Sequence, residues 1–502
     1  MNIEDYAKLR NGSDIRGIAM ENEWNEAVNL TAEAVSHLAA AFALWLGKRT
    51  DKRPLRIAVG RDSRLTGPEL QRSVFDGLAS EGALPFDLGL ASTPACFMST
   101  VLGDEPFDGS IMITASHLPY HRNGLKFFSP KGGLEKEDIV VLTETAPERQ
   151  IVKAGTVPEG SDFMDTYCAY LREKICAGVN SADYEHPLKG RHIIVDAGNG
   201  AGGFFVDRVL KELGADTDGS RYLDPDGRFP NHIPNPENKE AAEAIREATI
   251  ASQADLGIIF DTDVDRAGAV LPDGRALTRN DLIAVLSAIV INEHPGTTIV
   301  TDSITSDGLS AFIREKGGVH KRFKRGYRNV INESIRLNNE GIESHLAIET
   351  SGHGALKENY FLDDGAYLMV KLLTELGKGK NINDMISGLK EPLESAEIRF
   401  PVTAKDVQEN GDRILTLLSE GAGSTEGWSL EKENYEGVRI NTDESHGAGW
   451  FLLRKSLHEP IMPLNLESES RGGNKVMAAA LLNVLKKASG IDLSPLEDFV
   501  QN

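Results

Sequence analysis

Cysteine is scarce in this 502-residue sequence, which has only Cys96, Cys168 and Cys176. An odd, sparse set without metal-ligand spacing does not fit a disulfide framework and favours a reducing compartment. Residues 1–17 also lack the charged and then apolar pattern of a signal peptide. The most apolar helical stretch, residues 38–46, is far shorter than the ~20 residues of a membrane span. We therefore predict a cytoplasmic protein without a membrane partner, or a plastid protein if a transit peptide has been removed.

Positive charge is also in short supply. There are 54 lysines and arginines against 76 acidic residues, giving a formal net charge of -22. This balance argues against non-specific nucleic-acid binding, which depends on neutralising phosphates with Lys and Arg. Small anionic substrates stay possible, because a local basic pocket can exist in an acidic protein. The 40% hydrophobic and 26% charged fractions are those of an ordinary globular protein. The length suggests three or four domains of ~100–200 residues each.

Apolar strand-like runs alternate with helical segments through most of the chain. This alternation predicts βαβ units and mostly parallel sheets, in which ligands bind beyond the carboxyl ends of the strands. Polar, turn-rich segments at 176–191, 290–298 and 386–400 mark candidate domain boundaries. After the third of these, the pattern changes to α+β. The strand-like runs lie in residues 55–62, 109–116, 192–203, 254–265, 296–309 and 344–354.

The segment DTDVDRAG, residues 261–268, is the most specific local signal. Asp261, Asp263 and Asp265 alternate directly after an apolar run. Three carboxylates this close repel one another, so we expect them to bind a cation. Mg²⁺ suits a few carboxylates together with a substrate phosphate, and Arg266 could hold that phosphate. The alternative is a solvated turn rich in aspartate.

The segment TASHLP, residues 114–119, contains a serine beside a histidine. A serine hydroxyl is a poor nucleophile unless a base or a metal activates it. Neither a Ser-His-Asp spacing nor a G-x-S-x-G elbow is visible around Ser116. From these residues alone, a polar turn with His117 as a neighbour is the default interpretation. A nucleophile supported by Lys126, ten residues later, is the alternative.

Four further turns carry arginines near predicted strand ends. Arginines beside hydroxyls and glycines form natural phosphate sites. Each turn alone is weak evidence, since surface charge explains it better than a phosphate site does, but several in one acidic protein favour anion binding. The basic residues and their hydroxyl or imidazole neighbours are Arg16, Arg61, Arg64, Lys324, Arg325, Arg328, Arg454, Ser456 and His458.

The segment IETSGHGALKEN, residues 348–359, suggests a sugar site. The carboxylate of Glu349 and the hydroxyl of Ser351 could hold a vicinal diol, and His353 could transfer a proton near neutral pH. A helix cap with Ser351 as the N-cap residue explains the same letters.

Together, these motifs resemble those of the α-D-phosphohexomutases, the phosphoglucomutase/phosphomannomutase superfamily. The resemblance covers essentially the whole chain and follows the family's order. The matching segments are the N-terminal arginine motifs (13–17 and 60–64), the phosphoserine loop with its lysine (114–126), the metal loop (261–268), the sugar-specificity loop (349–353) and the last domain's phosphate loop (454–460).

The resemblance implies an α/β fold with four domains around a central cleft. Three would be α/β domains with mixed sheets, and the last a smaller α+β domain. We expect domain 1 with the phosphoserine loop at 1–185 and domain 2 with the metal loop at 186–292. Domain 3 with the sugar loop would span 293–392, and domain 4 with the phosphate loop 393–502.

The resemblance also implies roles for individual residues. Ser116 would carry the phosphoryl group and Lys126 would assist proton transfer, with Arg16, His117 and His353 as further catalytic residues. The Mg²⁺ ligands would be Ser116, Asp261, Asp263 and Asp265. The substrate contacts would come from Arg64, Arg266, Arg328, Glu349, Ser351, Arg454, Ser456 and His458.

The expected activity is a mutase that interconverts hexose 1-phosphate and hexose 6-phosphate, of glucose, mannose or both. A hexose 1,6-bisphosphate would be intermediate and activator, sugar phosphates the partners, and the protein a monomer or homodimer. The chain departs from the family pattern at Leu118, Leu457 and His458, where asparagine, glycine and threonine are usual. A sugar-bisphosphate synthase is therefore the alternative function, and a non-catalytic sugar-phosphate sensor is a weaker one.

Overall fold

The structure is a computed structural model and describes residues 1–153, 155–456 and 459–501. The chain forms two compact units. The first comprises Met1–Leu286 and Ser351–Met385, and the second comprises Ser287–Thr350 and Ile386–Asn502. Among the described residues, none of the helices has both the length and the hydropathy that crossing a bilayer requires.

The first unit begins with a mixed sheet of eight strands. Their order is β1-β2-β6-β5-β3-β4-β8, with β7 paired to β6. Strands β3, β4 and β5 are parallel, whereas β6 runs antiparallel to β5 and β2. The strands are β1 (Arg10–Asn11), β2 (Asp14–Ile18), β3 (Arg56–Arg61), β4 (Leu84–Leu90), β5 (Gly109–Ile113), β6 (Arg122–Ser129), β7 (Gly132–Gly133) and β8 (Glu159–Gly160).

Helices cover this sheet because their apolar faces match its buried strands. A core that includes Phe42, Trp45 and Phe127 fills the space between them. The helices α2 and α3 approach closely at Gly77, where a Cβ would lie 2.1 Å from the Ser36 carbonyl oxygen. The helices are α1 (Ile3–Ala7), α2 (Ala32–Gly47), α3 (Gly67–Ser80), α4 (Thr93–Met98), α5 (Lys136–Thr145) and α6 (Phe163–Val179), with a 3-10 turn at Ala146–Glu148.

A second sheet of four strands, in the order β12-β11-β10-β9, follows in the first unit. Strands β9 and β10 are parallel, and β10 forms an antiparallel hairpin with β11 around residues 261–266. The strands are β9 (Ile193–Asp196), β10 (Leu256–Phe260), β11 (Ala267–Val270) and β12 (Ala276–Leu277). The accompanying helices are α7 (Lys239–Ser252) and α8 (Arg279–Glu293), with a π-helical turn at Val206–Leu210.

The second unit begins with three parallel strands in the order β14-β13-β15. They are β13 (Thr298–Asp302), β14 (Val319–Phe323) and β15 (Ser344–Ile348), with helices α9 (Asp307–Glu315) and α10 (Tyr327–Asn339). The chain then returns to the first unit with a hairpin and two helices. These are β16 (Gly354–Leu356), β17 (Leu362–Asp363), α11 (Gly365–Gly377) and α12 (Ile382–Met385), with a 3-10 turn at Lys357–Asn359.

The C-terminal part of the second unit is an antiparallel sheet in the order β18-β22-β21-β20-β19. Three helices pack on its apolar face around Phe400, Phe451 and Leu481. The elements are β18 (Glu394–Pro401), α13 (Val407–Ala422), β19 (Trp428–Leu430), β20 (Val438–Thr442), β21 (Gly449–Leu453), β22 (Ile461–Ser468), α14 (Gly473–Leu485) and α15 (Ser494–Gln501), with a 3-10 turn at Glu444–His446.

The predicted α/β class is confirmed, with three α/β regions followed by an α+β C-terminal region. Each of the three α/β sheets contains both parallel and antiparallel pairs, so these sheets are mixed, as the family resemblance implied, rather than mostly parallel, as the alternation of strands and helices predicted. The last sheet is wholly antiparallel. The four domain boundaries themselves stay a prediction.

Candidate active site

Ser116 lies in the turn that follows the buried strand β5. Its backbone has φ 51°, a left-handed conformation that costs a non-glycine residue about 1–3 kcal/mol. The surrounding bonds hold it there: the Ser116 N–H donates to Thr114 Oγ1 at 2.9 Å, and Arg64 Nη2 donates to the Ser116 carbonyl at 2.5 Å. The hydroxyl therefore projects from a fixed backbone rather than from a loose polar turn.

Arg64 is the support beneath this turn. Its side chain is 1% exposed, and its Nη atoms donate to the carbonyls of Pro119, Arg122, Ser116 and Leu118 at 2.5–2.9 Å. These contacts give the guanidinium a structural task, whereas the sequence predicted that it contacts substrate. That substrate contact stays a prediction.

The β10–β11 hairpin carries the aspartate loop. Asp261, Asp263 and Asp265 are at most 1% exposed, and one oxygen from each lies within 4.8 Å of the others. Burial, and then the charge of Asp265, raise the pKa of Asp261 well above its usual value. The other oxygen of Asp263, Oδ2, accepts a hydrogen bond from Thr93 Oγ1 at 2.5 Å.

These carboxylates fit a divalent cation. Asp263 Oδ1 and Asp265 Oδ1 are buried, and neither has a hydrogen-bond partner among the described residues. An unsatisfied buried carboxylate oxygen is costly, and a hard cation with oxygen ligands would satisfy it. The set therefore suits Mg²⁺ better than a solvated turn.

Two cations flank the aspartate loop. Lys126, on β6, contacts Asp265 directly and lies 3.3 Å from Asp263 Oδ2. Burial opposes ionisation of Asp265, but the charge of Lys126 outweighs it and lowers the pKa of this carboxyl. Arg266 donates from Nε and Nη2 to Asp261 Oδ2 at 3.1 and 3.0 Å. Each cation therefore fixes a different carboxylate.

The Ser116 hydroxyl joins this network. Its Oγ donates to Asp261 Oδ2 at 3.1 Å and accepts from Arg266 Nη2 at 2.9 Å. Arg16, on β2, lies on the other side of the turn and donates from Nη1 to the Thr114 carbonyl at 3.2 Å and from Nη2 to Asp14 at 2.8 Å. The predicted residues Ser116, Lys126, Arg16, Arg266 and the three aspartates are thus brought together.

Two histidines that border the cluster differ in their protonation state. His117 Nδ1 accepts from Arg266 Nη2 at 2.6 Å, and burial together with that guanidinium lowers the pKa of His117 to about 2. Burial opposes protonation of His353, but the carboxylates of Asp363 and Asp265 outweigh it and raise the pKa of His353 to about 9. Near neutral pH, His117 is therefore neutral and a hydrogen-bond acceptor, whereas His353 is protonated and can donate a proton.

Sequence reasoning missed the groups that orient these side chains. Asp363, at the end of β17, contacts His353 Nδ1 at 2.5 Å and accepts from the Gly354 N–H at 2.9 Å. Asn235 Oδ1 accepts from Arg266 Nη1 at 3.3 Å. The pair of aspartates after the apolar residues of FLDDGA was a usable signal, because a charged pair at a strand end is uncommon.

The second unit holds another group of predicted residues. Glu349 follows β15, is 4% exposed, and accepts from the Gly326 N–H at 2.6 Å. This bond joins the predicted sugar loop to the turn that carries Arg328, at the first turn of α10. Ser351 belongs to the first unit, and its Oγ is buried without a hydrogen-bond partner in the described part of the chain.

The predicted phosphate loop begins at Arg454, which is 6% exposed. Burial, and then the charge of Arg325, lower the pKa of this guanidinium. Ser456 Oγ accepts from the Glu459 N–H at 3.2 Å. Leu457 and His458, on which the predicted departures from the family pattern rest, lie outside the described residues.

Comparison with known proteins identifies three domains of one family in order along the chain. Family models described as phosphoglucomutase/phosphomannomutase alpha/beta/alpha domains I, II and III match residues 7–145, 165–274 and 278–392. A phosphoglucomutase of Neisseria gonorrhoeae is 29% identical over 91% of this chain and 92% of its own length. A phosphomannomutase/phosphoglucomutase of Pseudomonas syringae pv. tomato is 30% identical, with 91% and 94% covered.

A solved structure is also similar to this chain over almost its whole length. The crystal structure of a phosphoglucomutase/phosphomannomutase family protein from Burkholderia thailandensis superimposes with a TM-score of 0.79. Its sequence is 26% identical, and the match covers 98% of this chain and 99% of that one.

Proposed function

Because the chain belongs to the phosphoglucomutase/phosphomannomutase family, we propose that it is a phosphohexomutase that interconverts the 1- and 6-phosphates of glucose, mannose or both. One observation carries this proposal: the Ser116 hydroxyl lies 3.1 Å from a carboxylate of a buried aspartate triplet. Phosphoryl transfer requires a carrier, a metal and cations that stabilise the moving charge.

In the proposed cycle, Ser116 begins as a phosphoserine. The free hydroxyl of a hexose monophosphate attacks the phosphorus and releases its proton, the bond between phosphorus and Ser116 Oγ breaks, and Ser116 Oγ takes up a proton to become a hydroxyl again. This step gives a hexose 1,6-bisphosphate, which turns in the site. Ser116 Oγ then attacks the other phosphate, and the isomerised monophosphate leaves. The bisphosphate is therefore both the intermediate and the activator that loads Ser116.

The three aspartates would hold Mg²⁺ together with an oxygen at Ser116. Bound there, the ion would neutralise negative charge on the phosphoryl oxygens. Arg266, which donates to Ser116 Oγ at 2.9 Å, would donate to those oxygens once Ser116 is phosphorylated.

Proton transfer would involve His353 and Lys126. We assign the protonated His353 as a proton donor, with Lys126 assisting proton transfer beside it, and His117 as a neutral catalytic residue that accepts a hydrogen bond from Arg266. Arg16 would add positive charge near the transferred group.

The residues of the second unit, with Ser351, would bind the substrate. Glu349 and Ser351 would contact sugar hydroxyls, and Arg328 would contact the sugar or its phosphate. Arg454, Ser456 and His458 would bind the phosphate that is not reacting. We retain the division into domains at 1–185, 186–292, 293–392 and 393–502 as part of this proposal.

The test is Ser116→Ala, because this change deletes only the phosphoryl acceptor. We expect it to abolish conversion of glucose 1-phosphate to glucose 6-phosphate in the presence of Mg²⁺ and glucose 1,6-bisphosphate, with unchanged thermal stability. Intact-mass analysis of the wild type should show one phosphate, located at Ser116. Ser129→Ala, at the end of β6, is the matched control and should keep full activity.

Three results would contradict the proposal. These are an active Ser116→Ala variant, a phosphate mapped to another residue, or a wild type that accumulates free bisphosphate as its main product. The last would identify a bisphosphate synthase.

A further inference from the structure

The guanidinium of Arg454 is a buried cation with unused hydrogen-bonding capacity. The residue is 6% exposed, and its Nε has no hydrogen-bond partner among the described residues. A buried, charged donor without a partner is costly, so such a group indicates a ligand. The guanidinium can donate five N–H groups, which suits the oxygens of a phosphate.

Arg325 belongs to the second unit as well. It precedes α10, and its Nε lies 3.5 Å from Asp302 Oδ2, at the end of β13. Its backbone N–H donates to Glu436 Oε2 at 3.2 Å, and that carboxylate also accepts from Ser303 Oγ at 2.5 Å. Asp302 and Glu436 thus hold Arg325 in place.

Glu436 connects Arg325 to Arg454. The next residue, Gly437, packs on Arg454 so closely that a Cβ there would lie 2.9 Å from the Arg454 Cα. Strands β20 and β21 pair immediately afterwards, with Val438 opposite Leu453. Glu436 and Gly437 therefore form one short segment with Arg325 on one side and Arg454 on the other.

Two guanidiniums on residues that contact the same Glu436–Gly437 segment repel each other unless an anion lies between them. Burial, and then the charge of Arg325, lower the pKa of Arg454, which agrees with such a repulsion. The negative charges of Asp302 and Glu436 offset part of this repulsion. Asp302 contacts the Nε of Arg325, and Glu436 accepts from its backbone N–H. An added dianion would interact favourably with both cations at once.

We propose that Arg325 is a second phosphate-binding guanidinium, which acts with Arg454 on the phosphate of the hexose that is not reacting. This rests on the proposed function. Arg325 belongs to the turn before α10 and Arg454 to the end of β21, so the bound phosphate would join the two parts of the second unit. The pair favours a doubly charged phosphate over a singly charged or neutral substituent at this position.

The test compares Arg325→Gln and Arg325→Lys with Arg336→Gln. Arg336, on α10, likewise pairs with a carboxylate, at 2.7 Å from Glu333, but it takes no part in the proposed site. We expect Arg325→Gln to raise KM for glucose 1-phosphate at least ~10-fold with kcat changed less than ~3-fold, since a charged hydrogen bond is lost. Arg325→Lys should recover part of the loss, and Arg336→Gln should resemble the wild type.

Inorganic phosphate provides a probe that does not require turnover. Its stabilisation of the protein, measured as a thermal shift, should weaken in Arg325→Gln and persist in Arg336→Gln. An unchanged KM and phosphate response in Arg325→Gln would overturn the assignment, as would a loss of kcat at unchanged KM. If the wild type does not isomerise sugar phosphates but its phosphate response still depends on Arg325, the proposed function fails and the anion site stands.

Discussion

Replacing Arg64 by alanine distinguishes a loop support from a substrate contact. The buried guanidinium donates to four backbone carbonyls, and its Nε lies 3.3 Å from the buried Asp62. Removing one partner of a buried ion pair costs about 3–5 kcal/mol, because the other charge is left without compensation. The four carbonyls lose their donor in the same step, which makes the upper end of that range the better estimate.

Thermal unfolding measures this loss directly. A loss of this size lowers the unfolding temperature of a domain of 150–250 residues by roughly 10–20 °C. The kcat should also fall, because Ser116 and Leu118 lose the donor that holds their carbonyls. Arg72→Ala removes an exposed arginine from α3, the helix that follows Arg64, and serves as the control.

A role in substrate binding alone would give a different result. Arg64→Ala would then raise KM while its unfolding temperature stayed within about 2 °C of the wild type. That outcome would refute the assignment of Arg64 as the support of the serine turn.

Three further predictions follow from single contacts. Asp263→Asn removes an anionic ligand and should raise the Mg²⁺ concentration for half-maximal activity at least ~10-fold; activity that is insensitive to a chelator would contradict it. Burial raises the pKa of Glu467 to about 7, against the opposing charge of Arg439. The wild type should therefore lose stability as the pH rises from about 4.5 to about 7, because the buried carboxyl must ionise. Above pH 7, Glu467→Gln should be more stable than the wild type by up to about 3 kcal/mol. The advantage should vanish near pH 4, and urea unfolding at both pH values measures it. Gly77→Ala places a methyl group against the Ser36 carbonyl and should cost about 1–3 kcal/mol, whereas Ser80→Ala on the same helix should change little.

The parts of the site that lie close together in the sequence were predictable. Asp261, Asp263 and Asp265 occupy one hairpin loop, so their crowding is visible in the letters alone. Ser116 and Lys126 lie on a turn and on the strand that pairs with β5, and their spacing reflects that pairing. For such residues, local chemistry and the alternation of strands and helices already indicate the arrangement.

Contacts between distant segments were not predictable. Asp363 lies 98 residues after Asp265, and only the fold brings both carboxylates to His353. The sequence therefore gave no sign that His117 would be neutral and His353 charged, since those states depend on burial and on which charge lies nearest.

Arg64 and Arg454 also show that sequence pattern does not predict the tertiary contacts of a side chain. Arg64 and Arg454 both follow strands and both are buried, so pattern alone predicts phosphate contacts for each. In the structure, the Nη atoms of Arg64 donate to four backbone carbonyls, although its Nε, like that of Arg454, has no hydrogen-bond partner among the residues described. The difference depends on which backbone groups face each guanidinium, and that is decided by tertiary packing.

Because the backbone at position 116 is left-handed, the residue type that is best for stability there differs from the residue type that the reaction needs. Glycine would adopt this conformation without strain, but glycine has no hydroxyl to receive a phosphoryl group. Stability and activity therefore make opposite demands on position 116, and a change that improves one harms the other. Screening variants of this loop for thermal resistance alone would favour proteins that no longer react, as expected where an active site stores strain.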